Sequence, residues 1–346
     1  MSRVRMAVVG LGWVGTHRHL PWLRRCPGLE LAGVVDHRPE RVAALAARLP
    51  ALATAVAEGP AGVPWLGAVD AVSIATPPSS HHRLAMAYLD AGKDVLLEKP
   101  MAMDVTQAEE LRRAAERGGR ILGVVHNFQF ARSVARLRRL LAAGRLGDLK
   151  GIWAAQLSNP RRRLPQWYES LPLGLFYDES PHFMYLLRAL LPGEPSLRSA
   201  QIVRSTEGRA TPARVSALFE AGGVPAQVDM NFEAPVSEWQ VAVIGSERMA
   251  VVDIFRDILV VVRNDGAHTG RDILRTSFDS VRGHLWGTLT SGLLLAGGRL
   301  AYGNDEVMRR FAEACRNRTE PAAISGSDGL RVVEMQHAIL DRDRAL

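Results

Sequence analysis

Short apolar runs alternate with helix-period stretches over the first third of the chain. Val4–Val9, Leu29–Val35, Ala71–Ala75, Asp94–Leu97 and Ile121–Val125 read as strands, and their apolar residues run on instead of alternating with polar ones. A strand of that kind is buried on both faces, as in a parallel sheet covered by helices. Between them Val14–Arg25, Pro39–Leu49, Ser80–Ala91 and Val105–Arg117 carry helical patterns. Strand and helix in that alternation predict an α/β fold with a doubly wound parallel sheet.

After a helix over Ala131–Ala143 the pattern changes. Lys150–Leu157, Ser199–Arg204, Ala213–Phe219, Val224–Phe232, Trp239–Ile244, Ala250–Asp253 and Ile258–Val262 follow one another as strands. One helix, around Pro181–Leu191, interrupts them. Consecutive strands predict an α+β domain with a large, mostly antiparallel open sheet. Asn264–Gly270 reads as a loop, and Asp305–Arg316 and Ser327–Arg342 as closing helices. The apolar, glycine-rich stretch Leu285–Leu300 is short for a membrane span and carries Arg299, so it reads as a buried or interface helix. The length of 346 residues suits two domains, divided here at 1–125 and 126–346.

Composition removes some function classes. No run of about 18 apolar residues exists, so no membrane span is expected. The N-terminus enters a strand directly and lacks the marks of a secretory signal, so the expected location is the cytoplasm. Cys26 and Cys315 are far apart and have no metal-type spacing, which reads as two reduced thiols and no metal site. The net charge is +7, but the arginines are scattered over helical segments with acids nearby. No basic stripe interleaved with aromatics stands out, so nucleic acid is not an expected partner.

Chemistry first appears in AVVGLGWVG, where Gly10, Gly12 and Gly15 form a GxGxxG pattern. The pattern is weak alone, but here it follows a strand and opens a helix, as in a Rossmann dinucleotide site. Gly10 allows the tight turn, Gly12 lets backbone approach a pyrophosphate, and Gly15 permits close helix–strand packing. The helix N-terminus offers free N–H donors to the phosphates. Asp36 ends the second strand, about 20 residues on, where an acid binds the ribose hydroxyls and favours NAD. His37 and Arg38 follow at once, and Arg38 could instead bind the 2′-phosphate of NADP.

The next segment, DAVSIATPPSSHHRLAMAYLDAGKDVLLEKPMAMDVTQAEEL, resembles the glucose–fructose oxidoreductase/inositol dehydrogenase/MocA family. The likeness continues through HNFQF, GRLGDL, the Asp178–His182 pair, VIGSERMAVVD and the closing NDEVMRRFAEA and SGSDGLRVVEMQHAI segments. It covers essentially the whole chain, with Glu98-Lys99-Pro100 as its most specific motif. The resemblance implies that Gly10, Gly12, Trp13 and Val14 line the pyrophosphate and that Asp36 and Arg38 meet the adenosine ribose. It implies that Thr76, Pro77 and His81 flank the nicotinamide, with Glu98 and Lys99 beside it and Pro100, often cis in this family, setting the chain direction. Asn127 and Gln129 would lie near the substrate entrance. The activity implied is NAD(P)-dependent hydride transfer to or from a secondary alcohol or ketone of a sugar, cyclitol or nucleotide-sugar.

Oxidising a secondary alcohol needs a hydride acceptor and a base within reach of the hydroxyl. Lys99 follows a strand at the carboxyl edge of the sheet, where ligands of such folds bind. A positive nicotinamide beside it would lower its pKa. Asp178 and His182 stand four residues apart and share a face if a helix has begun there, with Asp178 or Ser180 as a possible cap before Pro181. The resemblance makes His182 the general acid/base, Asp178 its hydrogen-bond partner and Lys99 the group polarising the reacting oxygen; the Lys and His roles could be exchanged. The family usually has glycine where Ser180 stands.

In the loop SNPRRRLPQWYESLPLG, Arg161, Arg162 and Arg163 could hold an anionic substrate group or form an exposed basic loop. Trp167 and Tyr168 could stack on a sugar or pack in an interface. The exposed face of the second sheet is an expected surface for a homodimer or homotetramer. Two other activities stay open: a glycoside hydrolase that oxidises its substrate transiently, and a non-catalytic NAD-binding regulator.

Overall fold

The computed structural model describes residues 3–162 and 164–344. The first 127 residues form β1 (Val4–Val9), a π-helical turn (Gly15–His19), α1 (Leu20–Arg25), β2 (Leu29–Asp36), α2 (Pro39–Arg48), β3 (Ala53–Val56), β4 (Ala71–Ile74), α3 (His81–Asp90), β5 (Asp94–Leu97), α4 (Val105–Arg117) and β6 (Leu122–Val124). Then come α5 (Arg132–Ala142), β7 (Leu149–Leu157), α6 (Leu175–Glu179), α7 (Pro181–Leu190), β8 (Ser196–Val203), β9 (Arg214–Ala221), β10 (Val224–Asn231), β11 (Glu238–Gly245), β12 (Arg248–Asp253), β13 (Ile258–Arg263) and α8 (Gly270–Ala296). α9 (Asn304–Asn317) and α10 (Gly326–Arg344) close the chain.

The first sheet is parallel, in the order β3-β2-β1-β4-β5-β6. Its central strands are buried on both faces, as their uninterrupted apolar runs require. Val9, Val35, Val72, Ile74, Leu84, Tyr88, Leu97, Leu111 and Val333 share one core. Each such side chain, fully buried, contributes about 1.5–3 kcal/mol by leaving water. Strand order reverses beside β1, so the connections leaving the paired strands β1 and β4 run to opposite sides and leave a crevice outside their carboxyl ends, where ligands of this fold bind.

The second sheet has the order β13-β12-β11-β7-β10-β9-β8. Its strands pair antiparallel except β7 with β10, which run parallel. The expected mostly antiparallel sheet is therefore present with one parallel seam. Among the described residues no helix is long and apolar enough to cross a membrane.

Three readings need correction. The Ala53–Val56 strand was not expected; its ATAV run is too short and weakly apolar to announce a strand. Residues 126–346 do not form one unit, because residues 304–337 group with 1–127. The reason is specific bonding: Val124 N–H donates to Ile324 O at 2.7 Å, and Arg318 Nη1 pairs with the buried Asp94 carboxylate at 2.6 Å. Finally, Leu285–Leu300 is largely part of the longer helix α8, and its apolar side chains are exposed within this chain, so the buried alternative fails while the interface alternative stands untouched. The two cysteines are free thiols, and burial pushes both upward in pKa, which keeps them inert.

Candidate active site

In the unit that holds the parallel sheet, the predicted cofactor residues collect at the carboxyl ends of its strands. The glycine loop follows β1, Asp36 ends β2, Thr76 follows β4, Glu98 and Lys99 follow β5, and Asn127 follows β6. Gly10 has φ +95°, and a Cβ there would lie 2.7 Å from Ala75 O, so no other residue fits the turn. Gly12 differs: a Cβ there would meet nothing closer than Arg41 Nη1 at 3.9 Å. Its backbone is open to an approaching group. Trp13 is exposed, stacks on His17 at 5.5 Å and carries Arg18 over its ring at 5.0 Å. Val14 continues into the π-helical turn with helical backbone angles.

The Asp36 carboxylate is buried and tied to this loop. Its Oδ2 accepts the Leu11 N–H at 2.6 Å, and its Oδ1 accepts the Arg38 N–H at 2.9 Å. His37 Nδ1 lies 3.4 Å from Oδ1, and Arg41 Nη1 lies 3.5 Å from Oδ2. Asp36 therefore shapes the loop. His37 and Arg38 are exposed.

The Glu98-Lys99-Pro100 turn is fixed by two histidines that are each 0% exposed. His19, on the helix that follows the glycine loop, reaches Glu98 Oε1 through Nε2 at 2.8 Å and Ser73 Oγ through Nδ1 at 2.6 Å. His81 lies 2.8 Å from both Pro100 O and Thr76 O. Burial lowers the His81 pKa and favours the neutral ring, which can donate to only one of those carbonyls at a time. His81 thus ties the turn after β4 to the turn after β5 from inside the core. Lys99–Pro100 is a cis peptide. Burial pushes the Glu98 carboxyl up, but the hydrogen bond and charge of His19 and the charge of Lys99 bring it below the ordinary glutamate value. Thr76 accepts the Ser80 hydroxyl proton at 2.7 Å, and Pro77 is exposed.

In the other unit, Asp178 lies on α6 and His182 on α7. Neither Asp178 nor Ser180 caps a helix. Ser180 has helical angles (φ −60°, ψ −30°), and its N–H bonds Phe176 O, so α6 runs straight into α7 with no end to cap. Gly174 opens α6 with φ +53°, and a Cβ there would lie 2.2 Å from Thr211 Oγ1. His182 is buried among Phe128, at 4.6 Å between ring centroids, and Trp239, at 5.2 Å. Its Nδ1 lies 2.6 Å from the Tyr185 hydroxyl, which also accepts the Phe128 N–H at 3.1 Å. The ring is thereby held with Nε2 turned away from Tyr185. Gln129 is buried beside Phe128 in sequence.

Arg162 is not available to a substrate anion, because it pairs with the buried Glu179 at 2.6 Å. Glu179 also receives a hydrogen bond from Gln156 and lies 3.5 Å from Ser158 Oγ. Arg163 lies outside the described residues. Trp167 and Tyr168 are half-buried in a 3₁₀ turn over Gln166–Ser170. Sequence reading missed His19, Tyr185 and Glu179. The available signals were spacing: His19 follows Gly15 by one helical turn, and Tyr185 follows His182 by three residues.

The family model described as the oxidoreductase family with an NAD-binding Rossmann fold matches residues 4–126, and the GFO/IDH/MocA C-terminal domain matches residues 134–251. The chain belongs to the GFO/IDH/MocA family. An Escherichia coli (strain K12) protein named uncharacterized oxidoreductase YdgJ is 33% identical over 53% of this chain and 52% of its own length. The chain thus spans about half the length of that relative. Inositol 2-dehydrogenase from Mycolicibacterium gilvum is 29% identical over 73% of this chain and 72% of its own. The crystal structure of GenD2 from gentamicin A biosynthesis, in complex with NAD, shares the fold with a TM-score of 0.77 at 23% identity, covering 99% of this chain and 95% of that one.

As a GFO/IDH/MocA member, the chain carries an NAD-binding Rossmann domain, and its residues fit a dinucleotide. Open backbone at Gly12, helical N–H groups after it and the Asp36 carboxylate are the three elements such a ligand needs.

A carboxylate whose pKa is depressed by folding stabilises the protein above its unfolded pKa, about 4.3, and that contribution is lost as pH falls through the folded value. Glu98 is such a group. The stability gap between the native protein and Glu98→Gln should be full at neutral pH and narrow below about pH 4.3. Urea unfolding across a pH series reads it. A gap that stays constant would mean Glu98 is not ionised in the fold.

Proposed function

We propose that the protein is an NAD(P)-dependent dehydrogenase or reductase acting on a secondary alcohol or ketone of a sugar, cyclitol or nucleotide-sugar. The observation that carries this reading is the placement of Lys99. It stands at the carboxyl end of β5, on a turn bonded to His19 and His81, and His19 belongs to the helix that follows the glycine loop. A lysine held at the edge where a dinucleotide binds can act on a substrate oxygen there. Inositol 2-dehydrogenase as the name of a relative supports the substrate class.

When bound, the nicotinamide supplies the hydride acceptor or donor. Lys99 polarises the reacting oxygen, His182 exchanges the proton, and Asp178 hydrogen-bonds substrate and base. Asp36 favours NAD over NADP, because its carboxylate repels a 2′-phosphate. The test is a screen of polyols, sugars and nucleotide-sugars with both cofactors, read at the NADH absorbance band. Cofactor-dependent turnover of one such class supports the proposal. Cleavage of glycosides without net NADH would instead make the enzyme a transient-oxidation hydrolase, and no turnover across the whole set would contradict dehydrogenase activity.

Tyr185 is a positioning residue in this scheme, since it holds Nδ1 of His182. Tyr185→Phe should lower kcat about tenfold and shift the pH profile while leaving KM within about twofold. An unchanged pH profile with normal turnover would remove Tyr185 from the proton path.

A further inference from the structure

Helix α8 is amphipathic in the inverted sense. Its polar and small residues face its own sheet, and its apolar residues face out. Asp279 is 4% exposed and bonds Arg263 Nε at 2.8 Å and Nη2 at 2.9 Å. Ser291 Oγ donates to Asp257 O at 3.0 Å. Gly283 and Gly287 lie against β13: Cβ atoms there would stand 3.1 Å from Val260 Cγ1 and 2.5 Å from Ile258 Cγ2. These contacts lock the helix's rotation, so it cannot turn to bury its other face.

That other face carries Leu274 (72% exposed), Phe278 (77%), Val281 (66%), Leu285 (70%) and Leu289 (54%), with Trp286 (62%) at its flank. The row repeats at steps of three and four residues, which forms one continuous stripe. Six large apolar side chains, each more than half exposed and contiguous in one stripe, make a larger patch than the few hundred Å² a monomer usually exposes, of the kind that marks a protein interface.

We propose that α8 is a contact between two copies of this chain, the two helices packing antiparallel across a two-fold axis near Gly283. Side-chain size favours this arrangement. It sets Leu274 against Gly292 and Phe278 against Thr288 of the second copy, large against small, with the branched pair Val281 and Leu285 meeting at the centre. A parallel, in-register pair would set Phe278 on Phe278 and Gly292 on Gly292, crowding one level and leaving a gap at another. It would also stack Arg271, Arg275 and Arg282 on their own copies. The antiparallel pair places those arginines beside a half-helix, residues 283–295, that carries no lysine, arginine or acid. A lipid surface fits less well, since an interfacial helix turns its polar face to water, whereas here that face is packed on the sheet.

The test uses the full chain in sedimentation velocity at about 10 µM, where micromolar association is visible. Phe278→Asp and Leu285→Asp should each halve the particle mass with far-UV circular dichroism and NAD binding unchanged. A native protein that is already monomeric, or variants whose mass does not fall, would overturn the proposal. Register has its own readout under copper-phenanthroline oxidation. Val281→Cys/Leu285→Cys should cross-link as a dimer, and Val281→Cys alone should not; cross-linking by the single variant overturns the antiparallel pairing. Co-sedimentation with phosphatidylglycerol vesicles that is lost in Leu285→Asp would reassign the stripe to lipid and overturn it as well.

Discussion

Two histidines buried from water hold the turn on which the proposed chemistry rests. His19 bonds the Glu98 carboxylate, and His81 sits 2.8 Å from both the Pro100 and Thr76 carbonyls, donating to one of them at a time. Polar groups at the end of a buried parallel sheet must find partners, because water cannot reach them. Here those partners join the helix after β1, the turn after β4 and the turn after β5. The glycine loop and Lys99 are therefore parts of one bonded edge. Loss of either histidine would leave buried polar groups unpaired and loosen the lysine's position.

The other unit uses the same physics around different residues. Apolar rings surround His182, and Tyr185 and the Phe128 backbone fix its orientation. One turn away, the buried Glu179 is matched by Arg162 and Gln156. That ion pair takes up an arginine that sequence alone left open to a substrate anion. A buried carboxylate without such a partner would be costly, so the pairing is a condition of folding and not a spare binding site.

Residues with a strong local signal were readable in advance, and those fixed by distant contacts were not. Asp94–Leu97 and Val105–Arg117 match the observed elements residue for residue, because an apolar run and a capped amphipathic helix announce themselves. Gly10, Gly12 and Asp36 carry a spacing signal along the chain, whereas Lys99 was singled out through the family's Glu-Lys-Pro motif. β3 was hidden because its ATAV run packs only as an edge strand. The return of residues 304–337 to the first unit depends on Asp94–Arg318 and Val124–Ile324, pairs about 200 residues apart that no periodicity reports. His19 and Tyr185 look like ordinary helix residues until their partners are known.

The direct test of the account is a comparison of cofactor affinity and turnover in Lys99→Ala. If the lysine acts on the substrate oxygen from a turn held by other residues, NAD affinity should stay within about threefold while turnover falls about 10²–10⁴-fold. If NAD affinity and melting temperature collapse together, Lys99 is part of the scaffold. Full turnover would likewise contradict the role assigned to it.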